Sequence, residues 1–323
     1  MHEALLVQEL RPNHFGYSDQ RSKPHAKALR PELPMPMKRR DVLSAACAGT
    51  FSLSCWGQPE GQDPRELTWV VENFEPYFIQ TGPLKGKGIG DRINQFLIDA
   101  LPEYRHKIAY VPILRITEGL KKGQQQVITT YLKNPADLAF TQYSITSLVV
   151  PPLELTLRRQ DWQRDWRASP QISLRAFLDA GKVVGLAGRR FYGDGITPIV
   201  TDRQRYPKGA YVQQSSHYRK LAEMVVQKHV DATIGYAAEL KYFELSSPNA
   251  GQLISLPIVE EPNYLYAYVA LPKTPWGDRL RERIDRVLSQ KRNTPAYRAI
   301  MLDWFTPTPA FERAITARFN SSL

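Results

Sequence analysis

Cysteine is nearly missing from this 323-residue chain: Cys47 and Cys55 are the two present, and none follows. That excludes a disulfide framework, thiol catalysis and cysteine-ligated zinc from everything beyond residue 55. Histidine is scarce too, and His106, His217 and His229 stand far apart without the spacing of a metal site. Ser215-Ser216-His217 lacks the G-x-S-x-G frame of a nucleophile elbow, and Gly86-Lys87-Gly88 lacks the remainder of a phosphate loop. Glu72 and Glu75 share one loop with no second carboxylate placed opposite them, so the paired acids of glycoside hydrolysis are not set up. No enzyme constellation and no cofactor motif emerges. A dense basic stripe is lacking as well. The formal net charge is +11, but Lys and Arg are interspersed with acids apart from short clusters at Arg158-Arg159 and Arg189-Arg190. A nucleic-acid face needs a denser patch.

What is present begins with a leader. Residues 1–36 are polar, with Pro24, Pro31, Pro34 and Pro36 and no sustained periodicity; they read as disordered or as sequence upstream of a later start. Met37 then opens MKRRDVLSAACAGTFSLSCWGQ, a basic run followed by an apolar, small-residue stretch too short to span a bilayer comfortably. Residues 37–57 therefore read as a signal peptide, and the expected location is periplasmic. Arg39-Arg40 resembles a twin-arginine signal, with an ordinary Sec signal as the alternative, and Leu53-Ser54-Cys55 is a poor match to a lipid-anchor site.

Hydrophobic residues make up 42% of the whole chain, enough for a sizeable core. The folded part is organised around Leu67–Leu101. Leu67–Val71 predicts a short apolar strand, Glu72–Phe78 an acidic and aromatic loop at its end, and Gly82, Gly86, Gly88 and Gly90 a set of turns. From Asp91, the spacing of Ile93, Phe96, Leu97, Ala100 and Leu101 predicts an amphipathic helix. Strands are expected at His106–Pro112, at Val127–Leu132 and around Leu138–Thr141, with a helical turn at Arg115–Gly123. This β-α-β-α-β order is the signature of a parallel sheet with covering helices.

Leu153–Arg159 alternates as a half-exposed strand, and 161–170 reads as a polar loop whose Trp162 and Trp166 can close over a hinge. A second α/β unit follows, with a helix capped by Ser173, a strand at Val183–Ala187, a helix at Lys220–His229 and a strand at Val230–Tyr236. A strand at Tyr264–Leu271 and helices at Trp276–Leu288 and Pro295–Phe305 complete the pattern. The expected division is lobe one at 66–150 plus 258–310, lobe two at 151–257, and a polar C-terminal tail at 311–323.

Five segments in order resemble those of the extracytoplasmic solute-binding proteins of the amino-acid-binding class, family 3, and most closely a proteobacterial branch of it. They are Glu72–Phe78, the G-x-G-x-x-D-like turn Gly86–Asp91, Gly119–Gly123, Gly185–Gly193 and Val230-Asp231-Ala232. The resemblance spans Glu66–Phe305. It implies an α/β, two-lobed, type II periplasmic-binding-protein fold, each lobe a mostly parallel sheet flanked by helices and joined by a hinge. It also implies a small-molecule ligand, a membrane permease or a sensor as partner, no nucleic acid, and a monomer.

By the same resemblance, Glu72, Phe74 and Tyr77 contact the ligand from lobe one, together with Thr129 and Thr130 at a strand end. Arg189, Arg190 and Tyr192 do so from the second-lobe turn, where helix amides can hold an anion, and Tyr236 and Glu239 lie where the family contacts a ligand amino group. Tyr192 and Tyr236 suit core packing equally well. One departure stands out: where amino-acid binders carry a carboxylate-pairing arginine, this chain has Lys133-Asn134-Pro135-Ala136-Asp137. Arg190 or Lys133 can replace its charge but not its bidentate geometry, and Asp137 would repel a carboxylate. The reading is capture of a small polar solute for transport; the alternative is a sensor or accessory module on the same fold.

Overall fold

The computed structural model describes residues 63–188, 190, 192–213 and 217–321. The leader, with its expected signal segment and Cys55, lies outside the described residues, as does Arg189.

The chain first lays down β1 (Glu66–Val71), α1 (Ile89–Ala100), β2 (Arg105–Tyr110), α2 (Ile113–Lys121), β3 (Gln126–Leu132), a 3-10 turn (Pro135–Asp137) and the long β4 (Thr141–Val150). It then crosses to β5 (Glu154–Arg158), α3 (Arg159–Asp165), α4 (Leu174–Asp179), β6 (Val184–Ala187), α5 (Gly193–Thr201) and β7 (Ala210–Gln213). This half continues through α6 (Tyr218–Val226), β8 (Ala232–Gly235), α7 (Ala237–Ser246) and β9 (Leu253–Pro257). The return carries β10 (Leu265–Pro272), α8 (Pro275–Lys291), α9 (Pro295–Leu302) and α10 (Pro309–Asn320).

Two five-stranded sheets result, ordered β2-β1-β3-β10-β4 and β7-β6-β8-β5-β9. In the first, β1, β2 and β3 are parallel and β10 runs antiparallel between β3 and β4. In the second, β6, β7 and β8 are parallel and β5 runs antiparallel between β8 and β9. Each sheet with its helices is one lobe, and the fold is two-lobed α/β. Because both sheets carry their first parallel strand between the next two, each has a switch point, the place where a ligand crevice forms beyond the strands' carboxyl ends.

Burial explains the first unit. Leu67, Trp69, Val70 and Val71 are all buried, as expected of a strand covered on both faces. Ile89, Ile93 and Leu97 turn one face of α1 into the same core; burying each contributes roughly 1.5–3 kcal/mol. Asp91 fixes the entry to that helix, its carboxylate accepting from the amides of Ile79 (2.9 Å) and Gly88 (3.2 Å). Gly90 has to be glycine there, since a Cβ would lie 2.4 Å from the buried ring of Phe78.

Four expectations change. β5 is not half-exposed but lies inside the second sheet, buried on both faces. Its alternation separates apolar Leu155 and Leu157 from a hydrogen-bonded side. There Thr156 bonds Tyr218 Oη (2.7 Å) and Ser255 Oγ (2.6 Å), and Arg158 meets Asp161, Val225 O and Val230 O. The segment 161–170 begins inside α3, and its tryptophans join the lobe-two core: Trp162 donates to Ser169 O (2.8 Å) and Trp166 stacks on Phe177 at 5.4 Å. In place of strand ends around Leu138–Thr141 there is the 3-10 turn and then the ten-residue β4. The expected polar tail is mostly α10, which buries Phe311, Ile315 and Phe319. Arg318 ties it to lobe one through Thr146 Oγ1 (2.8 Å) and Tyr268 Oη (3.0 Å).

Candidate ligand-binding cleft

The loops at the carboxyl ends of β1 and β3 face those of β6 and β8, and a cavity of about 690 Å³ lies among them. Glu72, Phe74 and Tyr77 line it from the β1 loop, and Thr130–Pro135 from the end of β3 and the turn beyond. Tyr236 and Asp194 line it from lobe two, while Ile113, Ile128, Val150 and Ala267 supply apolar wall. Of the residues expected at the site, Glu72, Phe74, Tyr77, Thr130 and Tyr236 thus meet on one cavity.

The β1 loop is aromatic for a reason of packing. Phe74 and Tyr77 stack with their ring centroids 4.8 Å apart, and Tyr77 meets Tyr236 of lobe two edge-on at 6.0 Å. Tyr77 is buried, yet its hydroxyl has no hydrogen-bond partner among the described residues. Burial first, and then the neighbouring Tyr236 and Glu239, push that phenol well above its ordinary range, so it stays protonated and able to donate. Burial also raises the Glu72 carboxyl. An unpartnered buried hydroxyl beside a desolvated acid is costly on its own and is relieved by a ligand that supplies polar atoms.

Lobe two presents a different surface. Arg190 makes a two-pronged ion pair with Glu239, at 2.9 and 2.6 Å. Burial alone would lower the guanidinium's pKa, but the carboxylate beside it more than reverses this, so it is held above its usual range. Glu239 also accepts from the Tyr236 amide (2.8 Å) and thereby caps α7. Tyr192 turns its hydroxyl to the Ala187 amide (2.6 Å), and burial pushes it up to about 12. The start of α5, expected to offer amides to an anion, is held by the chain's own Glu261, which accepts from Gly195 at 2.9 Å.

Several expected site residues are therefore engaged elsewhere. Thr129 is fully buried and donates to Asn94 Oδ1 (2.7 Å), because successive strand residues point to opposite faces and Thr130 takes the cleft side. Glu239, Arg190 and Tyr192 bond within lobe two. Asp137 is buried and accepts from Tyr131 Oη (2.7 Å), so it is not among the cavity-lining residues. Lys133 does line the cavity, with its ammonium 4.2 Å from the Tyr268 ring centroid. Asp194 went unrecognised in the sequence; its one signal was its place between Gly193 and Gly195, at a strand-to-helix turn. His106 is structural: it accepts from Trp69 Nε1 (3.0 Å) through Nδ1, leaving Nε2 to donate to Leu101 O (2.9 Å).

The lobes also touch outside the cavity. Asn73 lies 3.5 Å from His217, Lys241 donates to Asp303 O (2.7 Å), and Tyr242 packs against Trp304 at 6.2 Å. Among the described residues no His, Cys, Asp and Glu cluster could hold a metal, and no helix is long and apolar enough to cross a membrane.

No protein-family model matches the sequence, and no curated protein matches it. Solved structures do. An ancestral cationic amino acid solute-binding protein superposes with a TM-score of 0.56 at 13% identity, over 75% of this chain and 96% of that one. A histidine kinase sensor domain with similarity to periplasmic binding proteins gives 0.55 at 14%, over 75% and 96%. The periplasmic VFT2 domain of Bordetella pertussis BvgS gives 0.52 at 19%, over 75% and 93%. With its two matching sheets and the crevice between them, the described chain has the two-lobed fold of the amino-acid-binding periplasmic proteins.

Proposed function

We propose that this chain is an extracytoplasmic solute-binding protein of the amino-acid-binding class, which captures a small polar solute between its lobes and hands it to a membrane transporter. The observation that carries this reading is the inter-lobe cavity, into which the β1 loop brings Tyr77, buried and with its hydroxyl unpartnered. A cleft walled by two lobes is the arrangement that closes around a ligand by hinge motion. The polar contacts available at the cavity are Glu72, Thr130, Lys133, Asn134 and Asp194, set among aromatic and aliphatic wall. They suit a solute with an apolar body and a polar or cationic end better than a standard α-amino acid, whose carboxylate has no free arginine among the described residues lining the cavity. The role is capture, not catalysis, and the protein acts as a periplasmic monomer whose leader directs export.

A sensory role is the second reading, favoured by the likeness to a histidine kinase sensor domain. Thermal-shift screening against amines, amino acids, peptides and organic acids tests capture itself. A binding solute raises the melting temperature, and Tyr77→Ala abolishes that rise; a broad panel with no response overturns the reading. Reconstitution of the loaded protein with a permease, or with a kinase, then separates transport from sensing.

A further inference from the structure

The wall that lobe two turns toward the cleft contains a cation of its own. The Arg190 side chain is 14% exposed and its partner Glu239 1%. The guanidinium carbon stands 4.9 Å from the Tyr236 ring centroid, 5.7 Å from Tyr192 and 5.6 Å from Phe74. Glu239 meets it with both carboxylate oxygens, a fork-to-fork geometry. Three rings and a carboxylate around one cation is the chemistry by which a protein recognises a free guanidinium or ammonium group. One of those rings, Phe74, belongs to the opposite lobe, on the loop after β1. The anionic counterpart is filled in the same way, by Glu261 at the start of α5.

We propose that Phe74, Tyr192, Tyr236 and Glu239 form a guanidinium-binding box whose occupant is the chain's own Arg190, so that an internal cation latches the two lobes where a solute would otherwise be required. A tethered group competes at a high effective concentration. A solute's cationic end therefore has to displace a buried, doubly bonded guanidinium to enter, and solute is confined to the remaining cavity beside Glu72 and Thr130. Closure at this point then belongs to the resting protein. The proposal holds whether or not any solute is found, because it concerns the empty protein.

Spin labels on Lys107 of lobe one and Lys220 of lobe two, both exposed, report lobe separation by pulsed electron resonance once Cys47 and Cys55 are replaced by serine. Without solute, the parent protein is expected to give one short, narrow distance, and Arg190→Ala a longer and broader one. Ethylguanidinium, which fills the vacated box, is expected to return Arg190→Ala to the parent distance. It should also raise that variant's Tm by roughly 3 °C or more, leaving the parent unchanged. Should Arg190→Ala fail to fold, Phe74→Ala decides the matter, since it leaves the Arg190–Glu239 pair intact within lobe two; it is expected to lengthen the distance without ethylguanidinium rescue. A parent protein already open, either variant holding the parent distance, or an Arg190→Ala protein that ignores ethylguanidinium overturns the proposal.

Discussion

Lobe one meets the cleft with polar groups that lack protein partners, whereas in lobe two, Asp194 aside, the charged and polar groups behind the cleft wall are already paired. On one side stand the buried Tyr77 hydroxyl and the half-buried Glu72 carboxyl, both without ion pairs among the described residues. On the other stand Arg190 with Glu239, Tyr192 with Ala187, and Glu261 with Gly195. The strand orders match, so architecture does not account for the contrast; the side chains at the strand ends do. In this division of labour lobe one recognises and lobe two covers.

The contrast breaks most visibly if one acid is removed from each side. Glu239→Ala leaves Arg190 buried and unpaired and should cost about 3–5 kcal/mol of stability in urea unfolding. Glu72→Ala removes a desolvated, unpaired carboxyl and should cost little or nothing; equal losses would erase the difference between the lobes.

Glu154 sharpens the comparison because it is an unpaired acid on the lobe-two side, at the start of β5. Burial pushes its carboxyl up to about 7, a hydrogen bond from Ser255 only partly opposing it. The sign follows from linkage: above the unfolded value of 4.5 the unfolded chain gives up this proton while the folded one keeps it. Stability then falls as pH rises toward 7, by on the order of 3 kcal/mol from this group. Glu154→Gln should therefore raise Tm at pH 8 and leave it unchanged at pH 4, in melts compared across that range. An equal gain at both ends would remove the titration as its cause.

The smallest effects lie in lobe one. Tyr77→Phe removes a hydroxyl without a partner and should stabilise the empty protein by about 1 kcal/mol, while weakening a bound solute roughly tenfold by calorimetry. Thr129→Val should lose about 1 kcal/mol with its Asn94 bond and leave solute affinity untouched. Thr130→Val should do the reverse.

Much of lobe one was legible because its signals are local. The strand, the aromatic loop and the helix of Leu67–Leu101 follow one another in sequence, and the ligand crevice beyond a strand end is a rule of the fold class. The pairing of Arg190 with Glu239 was not legible, since the two leave different strand ends and meet only when β6 and β8 align. β4 escaped notice because Ser144, Thr146 and Ser147 break its apolar run, and those residues are buried. Ser147 donates to Ala267 O (3.1 Å) across the sheet. α10 read as tail because its buried face is only Phe311, Ile315 and Phe319, although a start signal was present. Thr308-Pro309 repeats the Thr-Pro of Thr274-Pro275 and Thr294-Pro295, and each threonine caps its helix by accepting from the amide three residues on.

The place of β10 also bears on how the chain is made. β4 pairs with β10, and β3 reaches β4 only through it, so both wait with an open edge while the ribosome adds more than a hundred residues. Lobe two needs no such wait, since β5–β9 are contiguous in sequence and form a complete sheet. Synthesis from the N-terminus thus finishes the inserted half before the half that encloses it. Until β10 joins them, the unpaired edges of β3 and β4 are the chain's exposed templates for wrong pairing.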